Sequence, residues 1–313
     1  MRAPLLALTE ELRRLKAAGV RTVTVSPDAL ASLRQVVQRL KEERGAEPGV
    51  ASGNPPVAAG EAPPAPPARR AVESPRASPA SVEPTTASTL PAPSVPKVPP
   101  GDKATRWAWL RDYVLQHDVC CGNIRRGKNV VFGVGSLEAK VFFCGEAPGA
   151  EEEVQGEPFV GPAGQLLTKM IQAMGLQRDE VYIGNIMNWR PQMPTPEGAE
   201  QVGNRPPTAE EMAFCLPFLK AQIEIVDPQV IVALGATAAK GLLGPDSFNA
   251  VGEIRGKWQT FADKPLIVTY HPSYILRNQS NRSKRMIWED LLKVMEKVGL
   301  PISARQRGYF LDK

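Results

Sequence analysis

The feature that most constrains this chain is an apolar run that stops abruptly at a glycine, a carboxylate and a proline. Residues 141–144 are all apolar, which predicts a buried strand, and a Gly-Glu-Ala-Pro-Gly stretch follows at 145–149. Glycines let a ligand approach the backbone, and proline fixes the turn. Ligands of open α/β sheets bind at the carboxyl ends of strands. We therefore predict that Glu146 stands at a binding or catalytic site.

Strand and helix patterns alternate after this stretch. The predicted strands span 140–144, 181–187, 229–234 and 265–270, and the predicted helices span 163–174, 208–225, 236–243 and 284–298. Such alternation is typical of a parallel sheet covered by helices on both faces. Polar or aromatic residues stand near further strand ends, at Phe159, Asn185 and His271. We predict that the strand ends bring them together around Glu146.

Composition separates the first third of the chain from this fold. No Phe, Trp or Tyr precedes Trp107, and residues 47–103 are rich in proline, alanine, serine and threonine. A segment of that kind buries too little apolar surface to offset its chain entropy. We predict a small N-terminal helical module at 1–45, a Pro/Ala-rich disordered linker at 46–105 and a folded catalytic domain at 106–313.

Charge is unevenly distributed along the chain. Residues 1–106 carry 15 basic and 10 acidic side chains, whereas the remainder is balanced at 23 of each. Nucleic-acid binding by the folded domain therefore needs a local basic patch. For the module at 1–45, three interpretations stay open: contact with DNA phosphates, docking on a protein partner, and a dispensable extension.

The sequence also gives an expectation for compartment and assembly. The first residues form neither a signal peptide nor a membrane span, and no other stretch reaches the roughly 20 apolar residues that a span needs. We expect a cytoplasmic monomer that does not contact a membrane. In that reducing compartment the four cysteines are metal ligands or packed thiols rather than disulfides.

Four motifs together resemble a known family. They are the Gly-Glu-Ala-Pro-Gly stretch at 145–149, the Pro-Phe-Val-Gly loop at 158–161, the strand amide Asn185 and the His-Pro pair at 271–272. This combination resembles the uracil-DNA glycosylase superfamily, and within it family 4, the iron–sulfur type. The resemblance implies an α/β three-layer sandwich with a four-stranded parallel sheet between helices, and DNA that crosses the carboxyl ends of the strands.

The resemblance also implies an activity. It predicts a DNA glycosylase that hydrolyses the N-glycosidic bond of uracil in DNA by base flipping and so initiates base excision repair. We expect a monofunctional enzyme, because no lyase lysine is identifiable. Two other functions stay open, namely a glycosylase for another deaminated base such as hypoxanthine, and a catalytically weak DNA-binding relative.

The predicted site residues divide by task. Phe159 can stack on an extruded base, and the amide of Asn185 can pair with uracil but mismatches cytosine. His271 near the 2-carbonyl oxygen would stabilise the departing anion. Either Glu146 or Glu152 would hold the attacking water, and the sequence leaves that choice open. The other predicted substrate-binding residues are Gly145, Ala147 and Pro148.

Basic and polar residues follow the histidine and suit phosphate contacts beside a flipped nucleotide. The predicted DNA-binding residues are Ser273, Tyr274, Arg277, Arg282, Lys284 and Arg285. The side chains of Tyr274, Ile275 and Leu276 are candidates for the wedge that fills the gap in the base stack. Residues 191–204 form a longer loop than the family form has, which either covers the cluster site or reshapes the DNA groove.

The chain departs from the family at the cluster ligands. Family 4 holds an iron–sulfur cluster on four cysteines, and alignment through its motifs puts Asp118 and Trp189 at two of those positions. Cys215 matches a ligand, but the adjacent Cys120 and Cys121 cannot easily reach two corners of one cluster. We expect neither a cluster nor another metal. If a cluster is present, its ligands are Cys120, Cys121 and Cys215.

Overall fold

The computed structural model of the protein describes residues 90–196 and 198–311. The predicted module at 1–45 and most of the predicted linker at 46–105 lie outside these residues. In the described ranges, no helix is both long and apolar enough to cross a membrane.

Six strands of the described residues form one mixed sheet in the order β1-β3-β2-β4-β6-β5. They are β1 (Val134–Gly135), β2 (Val141–Gly145), β3 (Tyr182–Asn185), β4 (Val230–Leu234), β5 (Trp258–Phe261) and β6 (Lys264–Thr269). The four central strands β3, β2, β4 and β6 run parallel, whereas β1 and β5 pair antiparallel at the edges. The predicted four-stranded parallel sheet is confirmed, with two short edge strands added to it.

Helices cover both faces of the sheet, which confirms the predicted three layers. The helices before β4 are α1 (Lys103–Leu115), α2 (Asp118–Gly122), α3 (Ala150–Gln155), α4 (Pro162–Ala173), the 3-10 helix Arg178–Glu180 and α5 (Ala209–Val226). Those after β4 are α6 (Gly235–Leu243), α7 (Val251–Ile254), α8 (Pro272–Arg277), α9 (Asn281–Lys297) and α10 (Ala304–Arg307).

Alternate residues of each central strand face opposite layers, as the pleat of a strand requires. Phe143 and the side chains on the same face of the neighbouring strands pack with Leu167 of α4 and Leu291 of α9. Phe142 and the side chains on the opposite face pack with Leu219 of α5 and with α6. Because both faces are covered, the central strands are apolar over most of their length, and polar residues such as Asn185 and Thr269 stand at strand ends.

The end of the proline-rich stretch packs on this domain. Pro96 is buried, and Leu90 and Val98 lie against a third core cluster formed by α1, α2 and α5. Helix α1 begins at Lys103, where Asp102 caps it by accepting the backbone N–H of Thr105. The packed part of the chain therefore extends upstream of residue 105, the predicted end of the linker.

Candidate active site

A cavity of about 570 Å³ opens at the carboxyl ends of the parallel strands. Eight of the predicted site residues line it: Glu146, Ala147, Glu152, Phe159, Asn185, His271, Ser273 and Arg277. They come from the segments that follow β2, β3 and β6. The expectation that strand ends bring these residues together matches this arrangement.

The floor of the cavity is built around Gly145. The parallel register of β2 on β3 sets Asn185 beside Gly145. A Cβ on Gly145 would overlap the Oδ1 atom of Asn185 and would stand 2.5 Å from two ring atoms of Phe159. Only glycine lets the amide and the ring approach the strand this closely. Pro148, the other predicted substrate-binding residue outside the lining, is buried.

Asn185 carries an unsatisfied polar atom. Its side chain is buried, with 7% of its surface exposed, and Oδ1 has no hydrogen-bond partner among the described residues. Buried polar atoms are nearly always hydrogen-bonded, so an orphan acceptor in a cavity points to a donor that a ligand brings. The floor of the cavity is therefore prepared for a hydrogen-bond donor.

The loop that carries Phe159 is held by Glu152. The Glu152 carboxylate accepts the N–H groups of Val160 and Gly161, at 3.1 and 3.0 Å, and that of Gly149 at 3.1 Å. Phe159 adopts a φ of 56°, which non-glycine residues rarely take, and its carbonyl leaves no room for a side chain on Gly164. Strained backbone of this kind clusters at functional sites.

His271 follows β6 and begins α8 as its N-cap. Its Nδ1 accepts the backbone N–H of Ser273 at 3.2 Å and lies 2.9 Å from the Ser273 hydroxyl. Because a backbone N–H can only donate, Nδ1 holds the lone pair and Nε2 carries the proton. Burial, and then the charge of Arg277, lowers the pKa of His271 to about 4. The site therefore contains a neutral imidazole whose Nε2–H can donate a hydrogen bond.

An aromatic ring lies against this imidazole. The ring centroids of Phe159 and His271 are 5.6 Å apart with an interplanar angle of 31°. Glu146 lines the same cavity, and burial raises the pKa of its carboxyl group, partly offset by a hydrogen bond with the Thr237 side chain. A planar group in the cavity would meet an aromatic face, an amide, an imidazole donor and a carboxylate.

Thr237 and Asn204 also line the cavity and were not predicted from the sequence. Thr237 stands in the first turn of α6, directly after β4, so the same strand-end argument that singled out Glu146 could have found it. Asn204 stands at the end of the long loop, and its Oδ1 accepts Nε of Arg190 at 2.8 Å. Arg190 is buried and pairs with Glu153 of α3 at 2.7 Å. No local sequence pattern signals this fold-back.

The predicted DNA-binding residues separate into two groups. Ser273 and Arg277 line the cavity, and Arg282 is exposed. Tyr274 instead stacks on Tyr270 at 4.4 Å and packs against the core, and Lys284 lies beside an apolar surface formed with Trp288 and Phe310. Arg285 donates to Glu289 and to the carbonyls of Arg307 and Tyr309, so it holds the C-terminal segment.

Exposure distinguishes the three wedge candidates. Ile275 is buried and Tyr274 is half-buried, whereas Leu276 is 42% exposed at the same end of α8 as Arg277. Of the three side chains, that of Leu276 is the most exposed.

Two of the four residues at the family's cluster positions, Trp189 and Cys215, lie in a hydrophobic core. Cys120, Cys215 and Trp189 are buried in one cluster with Phe214 and Met187. Burial raises the pKa of Cys120 to about 12 and raises that of Cys215 well above its ordinary value, so both are thiols.

The other two cluster positions are residues 118 and 121, and both are exposed. Cys121 is exposed, and its thiol donates to the carbonyl of Leu115, while Asp118 is exposed at the start of α2. Across the described ranges, no group of three or more His, Cys, Asp or Glu side chains is placed to hold a metal ion. The residues present therefore do not fit a four-cysteine iron–sulfur cluster.

Comparison with known proteins agrees with the fold. Residues 132–292 match the model of the Uracil DNA glycosylase superfamily. A Type-4 uracil-DNA glycosylase of Thermotoga maritima is 45% identical over 168 residues, which are 53% of this chain and 81% of that protein. The Type-4 uracil-DNA glycosylase of Archaeoglobus fulgidus is 40% identical over 175 residues, 53% of this chain and 83% of that protein.

A more distant relative shares only this domain. A DNA polymerase of Bacillus phage SP01 is 30% identical over 146 residues, which are 46% of this chain but 14% of the polymerase. The shared segment is thus an α/β unit that also occurs inside a larger protein. On the family match and the two close relatives, this chain belongs to the uracil-DNA glycosylase superfamily and resembles its type-4 members.

Proposed function

We propose that this protein is a uracil-DNA glycosylase that removes uracil by hydrolysis of its N-glycosidic bond. The observation that carries the proposal is the orphan Oδ1 of Asn185, buried in the cavity floor beneath Phe159. Uracil presents an N3–H donor beside a carbonyl, which complements an amide oxygen and nitrogen. Cytosine presents an acceptor at N3 and would leave Oδ1 unpaired, at a high desolvation cost.

Base flipping brings the nucleotide into reach. A base inside a duplex cannot enter the cavity, so the nucleotide must leave the stack, which costs a few kcal/mol. Phe159 offers its face to the extruded ring, and Leu276 is the exposed side chain that would fill the gap. Ser273, Arg277 and Arg282 are the proposed phosphate contacts, which position the strand without reading sequence.

His271 stabilises the leaving group. As the glycosidic bond breaks, negative charge develops on the base, with the 2-carbonyl oxygen as one of its carriers. A neutral imidazole that donates from Nε2 stabilises this charge and stays neutral at physiological pH, because its pKa lies near 4. A donor of this kind typically contributes about 100-fold to 1000-fold in kcat.

The two carboxylates have different surroundings and, we propose, different tasks. Glu152 accepts three backbone N–H groups and thereby fixes the Phe159 loop. Glu146 is partly buried with a raised pKa, which makes its carboxylate a better proton acceptor for water. We assign the attacking water to Glu146, oriented together with Thr237. The product would be an abasic site, the first intermediate of base excision repair.

Cleavage of short oligonucleotides tests the proposal. The substrates carry uracil, hypoxanthine or thymine at one position, in single strands and in duplexes, and the enzymes are wild type, Asn185→Ala and His271→Ala. We expect uracil release by wild type and losses of at least about 100-fold in both variants. Asn249→Ala, an exposed asparagine outside the cavity, is the matched control and keeps full activity.

Two results would change the assignment. Hypoxanthine also presents an N–H donor next to a carbonyl, so its release without uracil release would identify a glycosylase for that base. Retained DNA binding without release of any base would identify a catalytically inactive relative. Full activity of either cavity variant would place the reaction elsewhere.

The N-terminal part is proposed to act outside catalysis. Residues 1–45 would tether the domain to DNA phosphates or to a protein partner, since every cavity residue lies after residue 145. Deletion of residues 1–89 keeps Leu90, Pro96 and Val98 on the domain. We expect that variant to retain turnover on short oligonucleotides and to change affinity for long DNA. A loss of turnover would make the N-terminal part a component of the catalytic domain.

A further inference from the structure

The loop at 191–204 is anchored to the domain by three arginines. Arg125, Arg190 and Arg205 each donate to its backbone or side-chain oxygens. The accepting groups are the carbonyls of Gln192, Met193, Gln201 and Gly203 and the hydroxyl of Thr195. Guanidinium groups that reach several carbonyls fix the path of a loop, since a buried carbonyl cannot be released without cost.

Val202 stands between two of these anchored carbonyls. Arg190 donates to Gly203 O at 2.7 Å and to Gln201 O at 3.4 Å, one on each side of Val202. Arg190 is itself fixed by the buried ion pair with Glu153. The Val202 side chain nevertheless points away from the domain, with 90% of its surface exposed. A branched apolar group is thus presented to solvent on an anchored segment of the loop.

Val202 is close along the chain to a residue that lines the cavity. Asn204 lines the cavity, and its Oδ1 is held by the same Arg190. Val202 is two residues away from Asn204, and two residues span at most about 7 Å. Single exposed apolar residues are common on protein surfaces and need no explanation. What distinguishes Val202 is that it is two residues from the cavity-lining Asn204 and lies on a segment held by the buried Arg190.

The loop that carries Val202 and the helix that carries Leu276 follow different strands of the sheet. The loop follows β3 and α8 follows β6, and β2 and β4 lie between those two strands. At a strand spacing of about 4.8 Å, the two strand ends are about 14 Å apart. Leu276 is 42% exposed on α8. The loop and α8 therefore follow strand ends on opposite sides of β2 and β4, and each carries one exposed aliphatic side chain.

We propose that Val202 is a second apolar contact with duplex DNA, which packs against the base stack beside the extruded nucleotide and favours double-stranded substrate. This inference rests on the proposed function. Extrusion of one nucleotide leaves a gap of about 3.4 Å in its strand. Apolar side chains that enter or cover such gaps stabilise the kinked duplex, whereas a single strand has no stack to repair. The molecule that contacts Val202 is therefore the DNA duplex.

The test compares two substrates and three variants. Values of kcat/KM are measured for one uracil in a duplex and in the same strand alone, with wild type, Val202→Ala and Val202→Asp. We expect Val202→Ala to lower duplex kcat/KM about 10-fold, equal to about 1.4 kcal/mol, and to change single-strand kcat/KM less than about 2-fold. Val202→Asp should lose more on the duplex, because its carboxylate faces phosphates and bases.

A matched control and a second readout separate the outcomes. Val95 is 79% exposed beside α5, outside the cavity lining, and Val95→Ala should leave both substrates unchanged. Fluorescence of 2-aminopurine placed next to the uracil reports unstacking, which Val202→Ala should weaken. The inference is overturned if wild type cleaves both substrates while Val202→Ala either keeps its kcat/KM or loses kcat/KM equally on both. The proposed function stays intact in that case. Wild type without uracil release overturns the proposed function itself.

Discussion

The carboxamide oxygen of Asn185 lies against Gly145, in the space that a side chain at residue 145 would occupy. The β2–β3 register sets this neighbour, and the loop held by Glu152 brings the Phe159 ring to the same place. The floor of the cavity therefore depends on the absence of a single Cβ.

Replacement of that glycine should disable the cavity. We expect Gly145→Ala to displace the Asn185 amide or the Phe159 ring, to cost about 1–3 kcal/mol of stability and to lower kcat/KM on uracil by about 100-fold. Urea unfolding and oligonucleotide cleavage measure the two effects. Gly122→Ala is the control, because a Cβ there meets nothing within 4 Å. Near-normal cleavage by Gly145→Ala would contradict the described floor.

The protonation of His271 predicts a pH dependence. Its pKa is lowered from 6.5 to about 4, so the folded state keeps the imidazole neutral while the unfolded state protonates it. The stability that this group contributes is present above pH 6.5 and is lost as pH falls towards 4. Catalysis that uses the neutral ring should likewise persist to about pH 5 and fall below it.

The chain contains only two histidines, so NMR can follow this group directly. The imidazole carbon and proton shifts of His271, assigned with the His117→Gln variant, should not titrate between pH 8 and about pH 5. A midpoint near 6.5 would mean that the ring is solvated and carries charge in the working enzyme.

The part of the site that the strand ends position could be predicted from the sequence. Glu146, Asn185 and His271 follow apolar strands, and parallel strands bring their carboxyl ends to one edge. The edge strand β5 escaped prediction because only Phe261 of its four residues is buried, which leaves no run of buried residues to recognise. Long apolar strands and helices can therefore be predicted from sequence, whereas half-exposed edge strands cannot.

The residues that sequence reasoning missed depend on contacts between distant segments. Asn204 reaches the cavity because Arg190 folds the loop back, and Arg190 is in turn held by Glu153. Arg285 looked like a phosphate ligand because a basic run follows His271, but its partners are carbonyls of the C-terminal segment. A sequence shows that a side chain is charged, but it does not show which groups of the folded protein already bind that side chain.

The buried pair of Arg190 and Glu153 predicts a large loss of stability on removal of one partner. Glu153→Ala leaves an uncompensated guanidinium in the interior, which should cost about 3–5 kcal/mol in urea unfolding. Arg111→Ala, which removes an exposed pair with Asp112, should cost less than about 1 kcal/mol. Equal effects of the two changes would show that the Arg190 pair is solvated.

The hydrophobic core at the cluster positions predicts an enzyme without iron. Trp189 is buried in the same hydrophobic cluster as the thiols of Cys120 and Cys215, Cys121 faces solvent, and a cluster needs thiolates at each iron. Protein purified without oxygen should be colourless and should contain no stoichiometric iron. A brown, iron-containing protein would restore Cys120, Cys121 and Cys215 as ligands and would overturn the described packing.

The same packing makes Trp189 a structural residue, and this can be measured without reference to iron. Trp189 is 1% exposed, so Trp189→Ala leaves a cavity and should lower stability by about 3–5 kcal/mol. Trp258, 39% exposed on the edge strand β5, is the matched control, and Trp258→Ala should cost about 1 kcal/mol. Unfolding midpoints of wild type should also be unchanged by an iron chelator, since metal-dependent folds lose stability when the metal is removed. A small effect of Trp189→Ala together with a chelator-sensitive midpoint would mean that a metal, and not the tryptophan, stabilises this part of the domain.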